Sequence, residues 1–238
     1  MELRYTAIVI GKREVGETDR LYTFMTREGG KIRAKAIGVR KAEAKLASSL
    51  ETLTLSDITI VRGRGIGRIA GAIAEETYPN LRSDLDTLSQ ALEAVRIFDS
   101  LVGLEEPDQA MFELLHEYLT LLDGLAETGG QSAAPLLSEA FYVKLASGLG
   151  YHLETSVCAV SGERLSPGAG CFFSPDAGGV VLEAHADRYS VAISENAVKI
   201  LRIFLANRLS SIRKIRVDKR DVEELSRIRA IFFRHIQR

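Results

Sequence analysis

Through the first 76 or so residues hydrophobic and polar side chains alternate, and from Pro79 onward the apolar positions recur every three to four residues. Alternation is the signature of strands with one buried face, and the longer period that of amphipathic helices. The alternating part predicts five strands, at Leu3–Lys12, Arg20–Thr26, Lys31–Ile37, Leu53–Arg62 and Ile66–Glu75. Gly29-Gly30 and Gly63-Arg64-Gly65 supply tight turns after the second and fourth. Five short strands joined in this way suggest a small barrel or sandwich, and the five-stranded OB-fold barrel is the natural candidate.

Beyond Pro79 the pattern predicts a helical domain. Ser83 with Asp86 three residues on reads as a capping box, followed by an apolar stripe of Leu85, Leu88, Leu92, Val95, Phe98 and Val102. Pro107-Asp108 begins a second helix carrying Met111, Leu114, Leu115, Tyr118, Leu122 and Leu125, and Pro135 opens a third through Leu137, Phe141, Leu145 and Leu149. Residues 151–190 lose the period, hold five glycines and both cysteines, and read as a small irregular insertion. Ser194 caps a further helix, and Asp218 or a neighbour starts the last one, with Val222, Leu225, Ile228, Phe232 and Ile236 inward. The expected division is a β domain over residues 1–78 and a helical domain over 79–238, interrupted by 151–190.

One strand is unusual in its charge. Lys31, Arg33 and Lys35 alternate with Ile32, Ala34 and Ala36, so the outer face of that strand is wholly cationic. Arg40, Lys41 and Lys45 follow, and Arg62, Arg64 and Arg68 form a second cluster. A one-sign surface is the footprint of a polyanion site; lysines guarding an edge strand against pairing are the bland alternative. The net charge of −1 conceals this. Residues 1–75 carry 14 basic against 9 acidic side chains, residues 76–190 carry 5 against 18, and residues 191–238 carry 12 against 5. The C-terminal excess includes Arg208, Arg213, Lys214, Arg216, Lys219 and Arg220, a surface suited to an acidic peptide or a second polyanion; Arg227, Arg229 and Arg234 are expected on the same outward faces. With 46% hydrophobic residues the chain has ample core. No apolar run reaches the length of a membrane span, no signal-peptide pattern is seen, and two cysteines make no disulfide framework, so a cytoplasmic protein is expected.

Candidate chemistry adds little. Gly63, Gly65 and Gly67 loosely match a phosphate loop, but strand-like sequence on both sides favours a hairpin. Cys158 and Ser161 have the spacing of a zinc knuckle with one ligand replaced. Cys158, Cys171, His152 and His185 match no standard zinc spacing, and the alternative is that both cysteines are small buried hydrophobes. There is no G-x-S-x-G, H-E-x-x-H or Walker motif, and no histidine has a carboxylate or nucleophile motif beside it, so no enzyme is expected. Tyr5, Tyr22 and Phe24 share the β region with the cations and could stack bases, as in single-strand binders, or serve as core.

Three β-region segments, Gly16-Glu17-Thr18-Asp19-Arg20, Phe24 to Lys31 and Ala36 to Lys41, resemble the bacterial recombination mediator RecO. Leu50 to Leu55, Gly63-Arg64-Gly65 and Phe173-Ser174-Pro175-Asp176-Ala177-Gly178-Gly179 continue the resemblance in order over most of the chain. The resemblance implies an α+β protein with an N-terminal OB-fold, a helical domain and a small zinc-finger-like insertion. It implies a non-enzymatic, nucleoid-associated protein that binds single- and double-stranded DNA and anneals strands coated by single-strand-binding protein. It also implies action with RecR in loading RecA, docking of the acidic C-terminal tail of single-strand-binding protein, RecF and RecA as indirect partners, and no membrane. Where many members of the family it resembles carry two C-x-x-C pairs, this chain has Cys158, Ser161, Leu182 and His185. Leucine cannot ligate zinc, so a metal-free finger with no cofactor is expected, packed through Phe172 and Phe173. The rivals to this reading are a protein–protein adaptor and an OB-fold RNA-binding factor.

Overall fold

The alternating segment closes on itself. The computed structural model describes residues 1–15, 17–39, 46–63, 65–166 and 168–237. In it β1 (Glu2–Val15), β2 (Asp19–Thr26), β3 (Gly30–Ala36), β4 (Leu55–Val61) and β5 (Gly67–Glu76) form a closed barrel in the order β1-β2-β3-β5-β4. All pairs are antiparallel except β3 with β5, the OB arrangement. The inward residues of the alternation make the core: Ala7 and Val9 from β1, Tyr22 and Phe24 from β2, Ile32, Ala34 and Ala36 from β3, Ile58 and Ile60 from β4, and Ile69 from β5. A bulge between Val9 and Gly11 lets the long β1 turn from β4 to β2 and shifts its later residues by one in register.

Three helices belong to the same compact unit, Met1–Gln131: α1 (Pro79–Ser83), α2 (Leu85–Leu101) and α3 (Gln109–Glu127). The capping differs from the pattern expected at Ser83. Ser83 Oγ donates to the Pro79 carbonyl at the end of α1, and Asp84 caps α2 by accepting the Thr87 N–H at 2.8 Å. The buried face of α2 is accordingly Thr87, Ala91, Ala94, Val95, Ile97 and Phe98, and the expected stripe is corrected at Leu85, which is 77% exposed, and at Leu92, also exposed. Small alanines let α2 lie close to β1, while α3 packs over β2. This covers Ile8, Ile10 and Met25, which face away from the barrel core yet are buried.

The second unit, Ser132–Arg238, holds α4 (Ala134–Gly148), α5 (Glu195–Ala206), α6 (Leu209–Ile212) and α7 (Lys219–Ile236). Between α4 and α5 the expected irregular insertion contains a three-stranded sheet, ordered β7 (Gly179–Leu182), β6 (Cys171–Ser174), β8 (Val191–Ala192). Phe173 of β6 is fully buried and meets Phe232 of α7 edge-on at 5.8 Å, anchoring the sheet to the helices. Arg229, expected to face outward, turns in: its Nε lies 3.1 Å from both Glu139 carboxylate oxygens, and its guanidinium lies over the Tyr142 ring at 4.4 Å.

A candidate nucleic-acid interface on the barrel

The outer side of β3 is cationic as the alternation requires, but its three cations have three different fates. Lys31 is only 5% exposed. Its ammonium donates to the Asp99 carbonyl at 2.6 Å, in the last turn of α2, and lies 3.3 Å from the Asp99 carboxylate. Its own carbonyl accepts the Glu105 N–H at 2.7 Å. The open cationic face expected from the sequence is therefore corrected at Lys31, which the end of α2 covers. Arg33 is exposed. Lys35 is half-exposed and paired with Asp19, Nζ to Oδ2 at 2.9 Å.

Pairing across the barrel places further cations beside these. Arg13 is opposite Leu21, Leu21 opposite Lys35, and Lys35 opposite Arg68, so one row crosses β1, β2, β3 and β5. The neighbouring row runs Gly11, Thr23, Arg33. Side chains directly opposite stand about 5 Å apart on the same face of a sheet, so Arg13, Arg33, Lys35 and Arg68 share one face, with the buried Leu21 and the small Gly11 and Thr23 between them. Arg13, Arg33 and Arg68 are exposed and have no ion pair among the described residues. Arg13 escaped the sequence reading because the bulge reverses which β1 residues face outward, and one extra residue in a ladder leaves no clear mark in composition.

Asp19 organises one end of this surface. Besides Lys35, its carboxylate accepts the Gly38 N–H at 2.8 Å and the Thr18 hydroxyl at 3.1 Å. The Lys35 ammonium, and then the Gly38 N–H, hold its carboxyl down at about 2. Gly38 is left-handed, with φ of 67°, and the next residue, Val39, is buried in the barrel core. Leu46 and Ala47 pack on the same core. Arg40, Lys41 and Lys45, between these anchors in sequence, and Arg64 lie outside the described residues. Arg62 is exposed and pairs with Glu105 at 3.0 Å.

The aromatic expectations are corrected as well. Tyr22 and Phe24 stack on each other inside the barrel at 6.0 Å and are buried, so neither presents a face to a base. Tyr5 packs against the same core. What the outer face offers a polyanion is guanidinium and ammonium groups, which recognise phosphate without reading base sequence.

In the second unit Arg208, Arg213, Lys214, Arg216, Lys219 and Arg220 are all exposed. Lys219 reaches Glu223 at 3.7 Å, while Arg216 and Lys199, together with Asp218 and Asp221, line a groove of about 400 Å³ floored by Ile200, Ile203 and Ile215. At the finger, Cys158 Sγ accepts the Leu182 N–H at 3.5 Å, so these two of the four knuckle positions meet. Burial pushes the Cys158 thiol up, but the Ser161 hydroxyl and the N–H groups of Ser161, Leu182 and Val160 outweigh it and bring it down to about 7. Ser161 and His185 are exposed, and no group of three or more His, Cys, Asp or Glu stands ready for a metal among the described residues. No helix is long and apolar enough to cross a membrane among the described residues.

By fold this is an OB-barrel protein with an appended helical unit that embraces a small sheet. The family model "Recombination protein O N terminal" matches residues 1–78, and "Recombination protein O C terminal" matches residues 82–237. The chain belongs to the RecO family. It is 29% identical over 225 residues to "DNA repair protein RecO" of Dehalococcoides mccartyi strain CBDB1, covering 94% of this chain and 86% of that relative. It is 30% identical over 232 residues to the protein of the same name from Desulfitobacterium hafniense strain DSM 10664 / DCB-2, covering 95% and 82%. The Pelotomaculum thermopropionicum protein of that name is 31% identical over 217 residues, covering 90% and 81%.

Proposed function

We propose that this chain acts in DNA repair as a non-catalytic cytoplasmic mediator. It binds single- and double-stranded DNA through phosphate, anneals complementary strands, and helps RecR load RecA onto DNA coated by single-strand-binding protein. The observation that carries the reading is the row Arg13, Lys35, Arg68 with Arg33 beside it, a positive surface across four strands of an OB barrel whose three arginines have no ion pair among the described residues. Arg40, Lys41, Lys45 and Arg64 extend the charge in sequence. Annealing follows from bringing two polyanions onto a surface that cancels their mutual repulsion.

Fluorescence anisotropy of a labelled single-stranded oligonucleotide over a salt series tests this. Each phosphate contact contributes about 0.7 to the slope of log affinity against log salt. Replacing Arg13, Arg33 and Arg68 together by Ala is expected to weaken binding and flatten that slope by about 2. Unchanged affinity and slope would refute the assignment.

The groove floored by Ile200, Ile203 and Ile215 carries Lys199 and Arg216 but also Asp218 and Asp221, so the support for a second contact, with the acidic tail of single-strand-binding protein, comes from the exposed cations Arg208, Arg213, Lys214 and Arg220 around its apolar floor. Charge reversal at Arg213, Lys214 and Arg216 is expected to abolish tail-peptide binding and leave oligonucleotide binding intact. The finger works without zinc in this reading, because Leu182 has no donor to offer and its N–H instead caps the Cys158 sulfur. Chelator is expected to leave the melting temperature unchanged; one equivalent of zinc co-purifying with the protein would refute this.

A further inference from the structure

We infer that Asp19 is a built-in stand-in for phosphate, occupying Lys35 when no nucleic acid is bound and giving way to the backbone when it is. The inference rests on the reading of the barrel row as a phosphate-binding surface.

Lys35 lies between Leu21 and Arg68 in the row, its centre. It is also the one cation of that surface already neutralised, by a carboxylate oxygen at 2.9 Å. The other Asp19 oxygen takes a backbone N–H and a hydroxyl. An ammonium, a backbone N–H and a hydroxyl converging on one anionic group is the donor set that a phosphate oxygen would use. Asp19 stays ionised throughout the working pH range, because its carboxyl is held at about 2. A DNA phosphate arriving at Lys35 therefore displaces an anion of the protein rather than solution counterions. The contact adds little affinity and almost nothing to the salt slope, yet Asp19 returns when the phosphate leaves. Such an exchange favours release, which a protein that brings strands together and then lets the duplex go requires.

Asp19→Asn removes the charge and keeps an oxygen for the Gly38 N–H, so the turn is preserved. With Lys35 freed, one more phosphate contact releases counterions. At 0.1 M salt, single-stranded DNA is expected to bind about 5-fold tighter, with a salt slope steeper by about 0.7. Lys35→Ala leaves Asp19 in place and is expected to change affinity less than 2-fold in the wild-type background, yet to abolish the gain when combined with D19N. Unchanged or weakened binding by D19N overturns the inference. So does an equal loss on Lys35→Ala with and without D19N, since Asp19 would then be only a turn-stabilising group. The triple replacement of Arg13, Arg33 and Arg68 separates the two ideas. If it has no effect, the surface itself is misassigned; if it weakens binding while D19N does not tighten it, only the role of Asp19 fails.

Discussion

Lys31 provides the sharpest contrast between a charged residue that binds and one that holds the fold together. Lys31→Met keeps the aliphatic stem and deletes the ammonium. Two interactions go: the 2.6 Å donation to the Asp99 carbonyl and the 3.3 Å approach to its carboxylate. A hydrogen bond from a charged donor contributes about 1.5–3 kcal/mol. A cation at a helix C-terminus adds roughly 0.3–1 kcal/mol. The Asp99 side chain is 36% exposed overall, but Oδ1, the oxygen that faces Lys31, is buried and has no hydrogen-bond partner among the described residues, so part of the penalty for a broken buried pair adds to these terms. The expected loss is at least about 2–4 kcal/mol for the unit Met1–Gln131. At this size that corresponds to a fall in melting temperature of roughly 10 °C. Urea unfolding followed by circular dichroism reads the first quantity and thermal melting the second. Oligonucleotide affinity and salt slope, measured below the melting transition, are expected to stay at the wild-type values. A stability loss under about 0.5 kcal/mol together with a slope reduced by about 0.7 would show that Lys31 reaches phosphate, and the structural account of it would fall.

Three other perturbations probe different parts of the molecule. Gly30 has φ of 67°, and a Cβ there would lie 1.9 Å from the Glu106 carbonyl oxygen, so Gly30→Ala should destabilise by about 3 kcal/mol or more and speed exchange of the Glu105 amide bonded to Lys31. Glu139→Gln removes the carboxylate that the largely buried Arg229 Nε meets at 3.1 Å and is expected to cost about 3 kcal/mol in urea unfolding; adding Arg229→Met should recover most of the loss, and no recovery would contradict the pairing. The Cys158 thiol is held at about 7, below its ordinary 9.0, so the native state binds fewer protons than the unfolded chain between those values. The stabilisation is complete above pH 9 and is lost as pH falls through 7, on the order of 1 kcal/mol after screening. Urea midpoints taken across that range should rise with pH in the wild type by more than in Cys158→Ser, and identical profiles would refute the thiolate.

Local pattern determined a good deal on its own. Alternation placed all five barrel strands to within three residues at each end and separated Ile32, Ala34 and Ala36 from Lys31, Arg33 and Lys35, because successive side chains on a strand must point to opposite faces. Asp108, Pro135 and Ser194 marked helix starts because capping is a property of neighbouring residues. Family membership was legible too, since it lies in short ordered segments. Tertiary structure alone decided which cations stay open. Lys31 and Arg33 are two residues apart on the same side of β3, yet the end of α2 lies over one and leaves the other in water. The β1 bulge brought Arg13 into the row, and closure of the barrel put Arg68 beside Lys35 across more than thirty residues of sequence. Leu85 and Leu92 of α2 stayed exposed because the helix turned its alanines to the barrel. A period fixes the face a side chain takes within its own element, but coverage of that face depends on which other element docks there, and that is set by contacts distant in sequence.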